Sequence, residues 1–178
     1  MITALYADGG VIGHNPSTDG GTWSWIQLDD KLPSPTMSSY GTGVITPEMA
    51  GLPAITNNLT EILALIYGLE ALPADFSGVV YSDSMVSLGR LFQGWQWQHV
   101  PMWVHKRYQA ARERLLFWPT IKYVLLDGHP TKAQLASGVG KRGHPCSIWN
   151  VRCDKMCAET GESFMLSLAG LPLIPEMV

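Results

Sequence analysis

The sequence predicts an α/β fold: a five-stranded mixed sheet in which strands 1–3 are antiparallel, strands 4 and 5 run parallel to strand 1, and helices flank the sheet. Three strand-like runs follow one another near the N-terminus, apolar residues then adopt a helical period, and short apolar strands alternate with helices from there on. With 178 residues, of which 46% are apolar, the chain suits one domain. We expect its core over residues 2–160 and a C-terminal tail over 161–178.

The first three predicted strands form a meander. Residues 2–8 are a small, apolar and aromatic run that Gly9-Gly10 ends. The runs 22–28 and 37–45 follow, separated by Pro33 and Pro35 and rich in Thr, Ser, Tyr and Trp. Such a series is typical of antiparallel neighbours.

Helices and strands alternate in the rest of the chain. Apolar residues at helical spacing predict a helix over 58–72, which Pro73 stops. A strand over 78–81 leads into a second helix that runs to about residue 92, so a crossover unit is implied. A basic third helix over 102–117, a last strand over 121–126, a loop over 129–148 and a final helix over 149–159 complete the prediction.

The charge is unevenly distributed. Residues 1–89 carry nine acids and one base, a net −8, whereas residues 90–178 carry eleven bases and six acids, a net +5. An acidic cluster that needs cations, beside a basic surface that could bind phosphates, is what a metal-dependent nuclease requires. An odd number of cysteines without a secretory leader predicts a reducing, cytoplasmic setting, and no apolar run reaches the ~18 residues of a membrane span.

Four acids are predicted to converge. Asp8 and Asp83 end strands 1 and 4, whose carboxyl ends should meet at one edge of the sheet. Glu61 lies in the first turn of the helix between them, and Asp154 lies in the final helix. Because four carboxylates in one cleft repel one another, divalent cations are expected to neutralise them, and Mg²⁺ prefers oxygen ligands.

The motifs that carry these acids resemble type 1 ribonuclease H over about residues 3–160. Ala7-Asp8-Gly9-Gly10 resembles the opening turn of that family, and Ser82-Asp83-Ser84 resembles its second strand-end acid. The family's Thr-Asn-Asn-x-x-Glu helix start and its last helix are matched by Thr56-Asn57-Asn58-x-x-Glu61 and Asn150-x-Arg152-Cys153-Asp154. All four occur in the family's order.

The resemblance implies hydrolysis of the RNA strand of RNA/DNA hybrids by a monomer, with two metal ions, leaving 5′-phosphate and 3′-hydroxyl ends. Mg²⁺ is the expected ion and Mn²⁺ a substitute. The resemblance assigns metal binding and catalysis to Asp8, Glu61, Asp83 and Asp154, and catalysis also to His129 as the loop histidine. It assigns hybrid contacts to Asn15, Thr56, Asn57 and Asn58, whose uncharged groups can reach 2′-hydroxyls.

The chain departs from the family in two places. The loop before Asp154 is enlarged, so His144 is an alternative to His129, which we prefer because it directly follows a strand. The family's basic handle should fall near residues 93–101, where no charge cluster stands. Trp95 and Trp97 could stack on the substrate there, but we expect at least one to close the core. A loop containing Lys132, Lys141 and Arg142 could supply the grip instead.

Several residues also have simpler interpretations. Glu61 could form a capping box with Asn58 as N-cap, Asp8 and Asp83 could be turn residues, and Asp154 could be a solvated helix acid. The basic residues of the third helix could face phosphates or water; they include Arg107, Arg112 and Arg114. A zinc site is a separate possibility, and its ligands would be His144, Cys146, Cys153 and Cys157.

Two alternative functions remain open at this point. A DNA nuclease such as a junction resolvase would use the same acid cluster, although the Thr-Asn-Asn motif argues against it. A non-catalytic nucleic-acid-binding module would be expected to have lost at least one acid, and all four are present.

Overall fold

The computed structural model describes residues 1–118 and 120–170. Its five strands are β1 (Ala4–Val11), β2 (Gly21–Leu28), β3 (Met37–Ile45), β4 (Val79–Ser82) and β5 (Lys122–Leu125). They form one sheet in the order β3-β2-β1-β4-β5. The pairs β1–β2 and β2–β3 are antiparallel, whereas β1–β4 and β4–β5 are parallel. The predicted fold class is confirmed.

The described helices are α1 (Pro47–Ala50), α2 (Asn57–Ala71), α3 (Met85–Leu88), α4 (Met102–Phe117), α5 (Lys132–Ser137) and α6 (Ile148–Leu168). A π-helical turn, Gly89–Gln93, continues α3. The sequence predicts neither α1 nor α5, and the predicted second helix is α-helical only in its first turn. Within residues 1–118 and 120–170, no helix combines the length and apolarity that crossing a membrane requires.

The sheet is covered on both faces, and the strand period sorts the side chains of β1 between them. Leu5 and Ala7 pack into the cluster that contains the buried faces of α2 and α4. Ala4 and Tyr6 pack into the opposite cluster, to which α6 contributes. Because side chains alternate along a strand, Asp8 belongs to the α6 face.

The first strand is longer than its glycines suggest. Gly9 and Gly10 do not end β1, because residues 8–11 continue to pair with β2 after the parallel pairing with β4 has ended at Tyr6. Asp8 is therefore an interior strand residue opposite Ser24, and the interpretation of Asp8 as a turn residue is wrong.

The final helix is also longer than predicted. It continues past residue 159 to Leu168, since Gly161 is buried against Ile12 and Thr22 rather than ending the helix. Residues 161–168 of the expected tail therefore belong to α6. The last part of that tail, residues 171–178, lies outside the described residues.

Candidate active site

Asp8 is the most deeply placed of the four predicted acids. Its residue is 7% exposed, and its Oδ1 accepts a hydrogen bond from Gly9 N at 2.8 Å. Burial raises the pKa of Asp8 well above its ordinary value, and the charges of Asp83, Asp154 and Glu61 raise it further. The other three predicted acids are therefore close enough to Asp8 for their charges to act on it.

Glu61 reaches this site because β1 and α2 pack backbone against backbone. A Cβ added to Gly9 would lie 2.3 Å from Thr60 C and 2.4 Å from Glu61 N, so only glycine permits this approach. The Oε2 atom of Glu61 accepts a hydrogen bond from Ser84 Oγ at 2.6 Å. Burial raises the pKa of Glu61, although the Ser84 hydrogen bond opposes this and Asp83 adds to it.

The helix cap near Glu61 differs from the capping box considered above. Thr56 is the N-cap of α2, and its Oγ1 accepts a hydrogen bond from Leu59 N at 3.4 Å. Asn58 lies inside the helix, so the capping box of Asn58 with Glu61 is wrong. Thr56 is the N-cap because it directly precedes the first helical residue, Asn57. The Glu61 side chain is therefore not used for capping and can face the other acids.

Asp83 lies between the end of β4 and the start of α3. Its Oδ2 accepts a hydrogen bond from Asn150 Nδ2 at 3.3 Å, and a Cβ added to Gly128 would lie 2.3 Å from the same oxygen. Burial raises the pKa of Asp83, and Asp154 adds to this, whereas the Asn150 hydrogen bond and the nearby His129 oppose it. Asp83 is thus enclosed by α6 and by the turn after β5.

Asp154 and His129 form the exposed rim of the site. His129 Nδ1 lies 3.6 Å from Asp154 Oδ2, and the two side chains are 81% and 50% exposed. The backbone of His129 is in the left-handed region with φ 49°, directly after Gly128. Both side chains are therefore accessible from solvent.

The oxygen-rich donor set fits a hard divalent cation. Besides the four carboxylates, Asn150 contributes a buried Oδ1 that has no hydrogen-bond partner in the described structure. Among the described residues, no three carboxylate, imidazole or thiol side chains converge closely enough to hold one ion together. Hard divalent cations can complete their coordination with water and substrate phosphate.

The predicted hybrid-contacting residues lie together beside Glu61. Asn15 Oδ1 accepts a hydrogen bond from Asn57 N at 3.2 Å, and Ser17 pairs with Ile55 in an isolated bridge. The loop after β1 is thereby tied to the start of α2. Thr56, Asn58 and Asn15 are exposed, and Asn57 Oδ1 is buried without a partner among the described residues. The site thus presents uncharged polar groups next to its acids.

Comparisons with known proteins decide the family. No family model matches the chain. The ribonuclease H of Chlorobium limicola is 29% identical over 160 residues, which cover 87% of this chain and 92% of that protein. The ribonuclease H of Syntrophus aciditrophicus is 31% identical over 137 residues, which cover 72% of this chain and 73% of that protein. The chain belongs to the ribonuclease H family. It is therefore an enzyme of the ribonuclease H type, a hydrolase that acts as a nuclease.

Solved structures agree on the fold of this ribonuclease H. A ribonuclease H1 isolated from compost matches with a TM-score of 0.61 at 18% identity, covering 91% of this chain and 96% of its own. The ribonuclease H1 of Halobacterium salinarum matches with a TM-score of 0.58 at 21% identity, covering 90% and 97%. The compost enzyme has also been solved in complex with an RNA/DNA hybrid.

The enlarged loop of this ribonuclease H is folded rather than open. Residues 131–146 contain α5, whose Thr131 and Gln134 form a capping box, and a bridge between Val139 and Pro145. Arg142 closes the loop onto the turn after β5, since its Nε lies 2.6 Å from Asp127 Oδ1 and its backbone N donates to Oδ2 at 2.7 Å. Desolvation of Asp127 is outweighed by these hydrogen bonds, which hold its pKa below the ordinary value.

This closure bears on two predictions. Arg142 is engaged by a carboxylate of its own chain, so of the three basic residues proposed for the grip only Lys132 and Lys141 lack an acidic partner in the described part of the chain. His144 lies close enough to Asp127 to affect its pKa, whereas His129 acts on Asp83. The geometry thus brings His129, and not His144, to the four acids.

The arginines of α4 bind a carboxylate or backbone carbonyls of neighbouring elements. Arg107 Nη1 lies 2.6 Å from Glu70 Oε2. Arg112 Nη1 donates to Arg90 O at 3.0 Å, and Arg114 donates to the carbonyls of Leu69, Leu72 and Pro73 at the end of α2. These arginines hold α4 to its neighbours, which neither interpretation of the sequence anticipated.

Trp95 and Trp97, in the segment where the family's basic handle should fall, differ in burial. Trp97 packs against two core clusters, and its ring meets Tyr108 edge-on at 5.7 Å between centroids. Trp95 is 41% exposed, and its Nε1 donates to Gln93 Oε1 at 2.9 Å. The prediction that at least one of them closes the core is confirmed.

The cysteines pack α6 against the sheet. Cys153 is fully buried, and Cys157 Sγ lies 3.4 Å from both Asp8 O and Ser24 Oγ, to either of which its single S–H can donate. Burial raises the pKa of Cys157 to about 12 and that of Cys153 well above its ordinary value. The described residues contain no group of three or more potential metal-binding side chains of the zinc-ligand type, so the structure does not gather His144, Cys146, Cys153 and Cys157 into a zinc site.

Sequence reasoning missed two residues that shape the site. Ser84 donates to Glu61, and Asn150 donates to Asp83. Both residues belong to the motifs on which the family resemblance rests, so membership of those motifs was the sequence feature that could have identified them. Their hydrogen bonds are long-range and depend on how α3 and α6 dock.

Proposed function

We propose that this chain cleaves the RNA strand of RNA/DNA hybrids by metal-assisted hydrolysis, leaving 5′-phosphate and 3′-hydroxyl ends. The observation that carries the proposal is the juxtaposition of four mutually repelling carboxylates with an uncharged polar cluster at the start of α2. Support comes from a ribonuclease H1 of the same fold whose structure was solved with an RNA/DNA hybrid. Acids alone would serve any nuclease, whereas amide and hydroxyl groups suit a minor groove that displays 2′-hydroxyls.

In this proposal, Asp8, Glu61, Asp83 and Asp154 hold divalent cations, with Mg²⁺ preferred and Mn²⁺ as a substitute. The chemistry that two such ions supply when bound is activation of the attacking water and stabilisation of the leaving 3′ oxygen. Ser84 and Asn150 orient Glu61 and Asp83 through their hydrogen bonds. Such outer partners fix the direction in which a ligand oxygen points.

The remaining residues bind substrate and move protons. Asn15, Thr56, Asn57 and Asn58 contact the hybrid through their uncharged polar groups. His129, held beside Asp154 at the exposed rim, exchanges a proton with the reacting groups or with the departing product. All described elements lie on or around one sheet, which supports a single domain. The monomeric state and the cytoplasmic location stay predictions.

The test is a cleavage panel. End-labelled RNA/DNA hybrid, double-stranded RNA, double-stranded DNA and a four-way junction are incubated with Mg²⁺, Mn²⁺ or EDTA, and the ends are mapped. We expect cleavage of the hybrid alone, dependent on metal, because only the hybrid combines 2′-hydroxyls with a DNA strand.

The matched variants are Asp83→Asn and Asp75→Asn. Loss of a metal ligand should lower cleavage by more than the 10–100-fold that is typical of outer-shell changes. Asp75 is exposed near Met1 at the opposite edge of the sheet, so its variant should cleave like wild type. Junction cleavage would select the resolvase, and binding without cleavage would select the non-catalytic module.

A further inference from the structure

The six arginines of the chain differ in how their guanidinium groups are satisfied. As described above, four of them hydrogen-bond to carboxylates or backbone carbonyls. Arg152 is exposed, with its guanidinium carbon 5.9 Å from the ring centroid of Trp149. Arg90 is the exception among the described residues, because it is only partly exposed and no hydrogen bond or ion pair engages its guanidinium.

Arg90 is nevertheless held firmly. Its carbonyl oxygen accepts hydrogen bonds from Tyr108 Oη and Arg112 Nη1, each at 3.0 Å. Its guanidinium carbon lies 4.8 Å from the ring centroid of Trp97, which the core holds in place. It belongs to the π-helical turn after α3, and such turns often occur at functional sites. The cation is thus fixed in position without being paired.

An unpaired, partly buried cation of this kind favours a nearby anion. The Nη1 atom of Arg90 is buried and has no hydrogen-bond partner in the described structure. A charged group that gives up water without a partner is strongly unfavourable, and guanidinium remains charged at any ordinary pH. The group therefore calls for an anion at its remaining donors, which form a fork that matches phosphate.

Arg90 also lies next to the candidate active site. Burial raises the pKa of Glu61, and the Arg90 charge partly opposes that rise. Two further unpaired buried atoms, Asn57 Oδ1 and Asn150 Oδ1, belong to residues that surround the same acids. Three of the four unpaired buried side-chain atoms among the described residues thus belong to Arg90, Asn57 and Asn150, and the fourth is Gln27 Nε2. The handle segment beside it, residues 93–101, carries no Lys or Arg that could supply the charge.

We propose that Arg90, stacked on Trp97, binds a backbone phosphate of the nucleic-acid substrate. This inference rests on the proposed function and adds a phosphate contact to it. Arg90 acts by holding the substrate in register with the acids, so it is a positioning residue. One fixed guanidinium on an aromatic ring thus supplies part of the phosphate binding that a cluster of exposed lysines would otherwise supply.

The test measures hybrid binding as a function of salt. Arg90→Gln, Arg90→Lys and Lys31→Gln are compared by fluorescence anisotropy, all in an Asp83→Asn background so that the hybrid stays intact. Lys31 is the matched control, because it is exposed and follows Asp29 and Asp30, which are tied to residues 1–3 at the edge of the sheet opposite the acids. Loss of one phosphate contact should make the slope of log K against log salt shallower by about one. We expect this for Arg90→Gln only, with the slope retained in Arg90→Lys.

A second measurement identifies the phosphate. Neutral methylphosphonate linkages are scanned one at a time through the RNA strand and then through the DNA strand. With the Asp83→Asn protein, a methylphosphonate at one position or at two adjacent positions should weaken binding. When Arg90→Gln is added, a methylphosphonate at the same positions should have no further effect, as a double-mutant cycle requires. The strand that contains the position identifies the source of the phosphate.

The outcomes are separable from those of the proposed function. Wild-type cleavage of the hybrid together with an unchanged slope and an unchanged scan in Arg90→Gln would overturn this inference and leave the proposed function standing. A lower thermal midpoint of Arg90→Gln with unchanged binding would mean a structural role and would also overturn it. Failure of the wild type to bind or cleave hybrid would remove both.

Discussion

His129 stands at the end of a series of close contacts that begins at Asp83. The backbone at Gly128 passes directly over the Asp83 carboxylate, where any side chain would collide with Oδ2. The next residue turns into the left-handed region, and its Nδ1 reaches to 3.6 Å from Asp154 Oδ2. His144 instead belongs to the hairpin closed by Arg142, near Asp127. Surroundings therefore distinguish two histidines that both precede a proline.

This difference predicts how the two histidines affect the rate. His129→Ala should lower kcat by about 10²-fold if proton transfer is lost. KM should change little, because His129 is assigned to proton transfer and not to hybrid binding, and its side chain is 81% exposed. His144→Ala is the matched variant and should have the smaller effect. Steady-state cleavage of a hybrid of defined length measures both constants. A larger fall in kcat for His144→Ala would transfer the role to His144.

The contact between β1 and α2 positions the acids at the scale of whole elements. Asp8 is carried by the strand and Glu61 by the helix, and the two elements can approach because Gly9 has no side chain. The sheet face opposite α2 receives α6, so Asp154 arrives from the other side. Asp83 follows β4, the neighbour of β1 in the sheet. The site therefore depends on how α2, α6 and β4 pack around one end of β1.

A pair of adjacent glycines tests this packing. Gly9→Ala would place a Cβ 2.3 Å from Thr60 C, and backbone cannot give way cheaply, so we expect destabilisation of about 1–3 kcal/mol and loss of most activity. Gly10→Ala is the control, because its nearest neighbour is Thr22 Oγ1 at 3.6 Å, an ordinary contact. Urea unfolding and hybrid cleavage are measured for both variants. Equal effects of the two substitutions would refute the close approach as the reason for the Gly9 requirement.

The sequence predicted correctly the bounds of those elements whose ends lie close to prolines. The bounds of β3 and α4 agree with the predicted ranges 37–45 and 102–117, because prolines flank or closely follow them: Pro35, Pro47, Pro101 and Pro119. The fold class followed from the change between strand and helix periods. The four acids were identified by motif, since each motif combines an acid with the small or capping residues that its position needs.

Long-range contacts account for what the sequence did not predict. The structured loop depends on Arg142 and Asp127, fifteen residues apart, and α5 buries no residue that would reveal a helical period. The continuation of β1 through two glycines depends on pairing with β2, and that of α6 through Gly161 depends on docking against the sheet. The pairing of Ser84 and Asn150 with the acids depends on the same docking.

For the whole molecule, the acid cluster sets how stability responds to pH. The N-terminal half carries a net −8 and the C-terminal half +5, yet the four acids gather where the Arg90 charge and the partly exposed Asp154–His129 pair offer limited compensation. Burial, reinforced by neighbouring charges, raises the pKa of Asp8, Glu61 and Asp83 in the folded chain. Folding without a cation therefore works against the ionised form of these groups.

The sign of this effect gives a prediction for Asp8→Asn. Unfolded carboxyls of this type titrate near pH 3.9, and the folded form of Asp8 holds its proton to higher pH. The free energy of unfolding of wild type in EDTA should therefore fall as pH rises from about 4 through the raised pKa. Asp8→Asn removes most of that decline, so it should be more stable than wild type at pH 7 and lose its advantage toward pH 4.

Added Mg²⁺ should stabilise wild type by mass action and act far less on the variant, because the variant lacks one ligand. Urea unfolding at several pH values, with and without Mg²⁺ and with Asp75→Asn as control, measures both effects. If Asp8→Asn is less stable by the same amount at every pH, the carboxylate is a favourable structural group, and the strain that we attribute to crowded negative charge is absent.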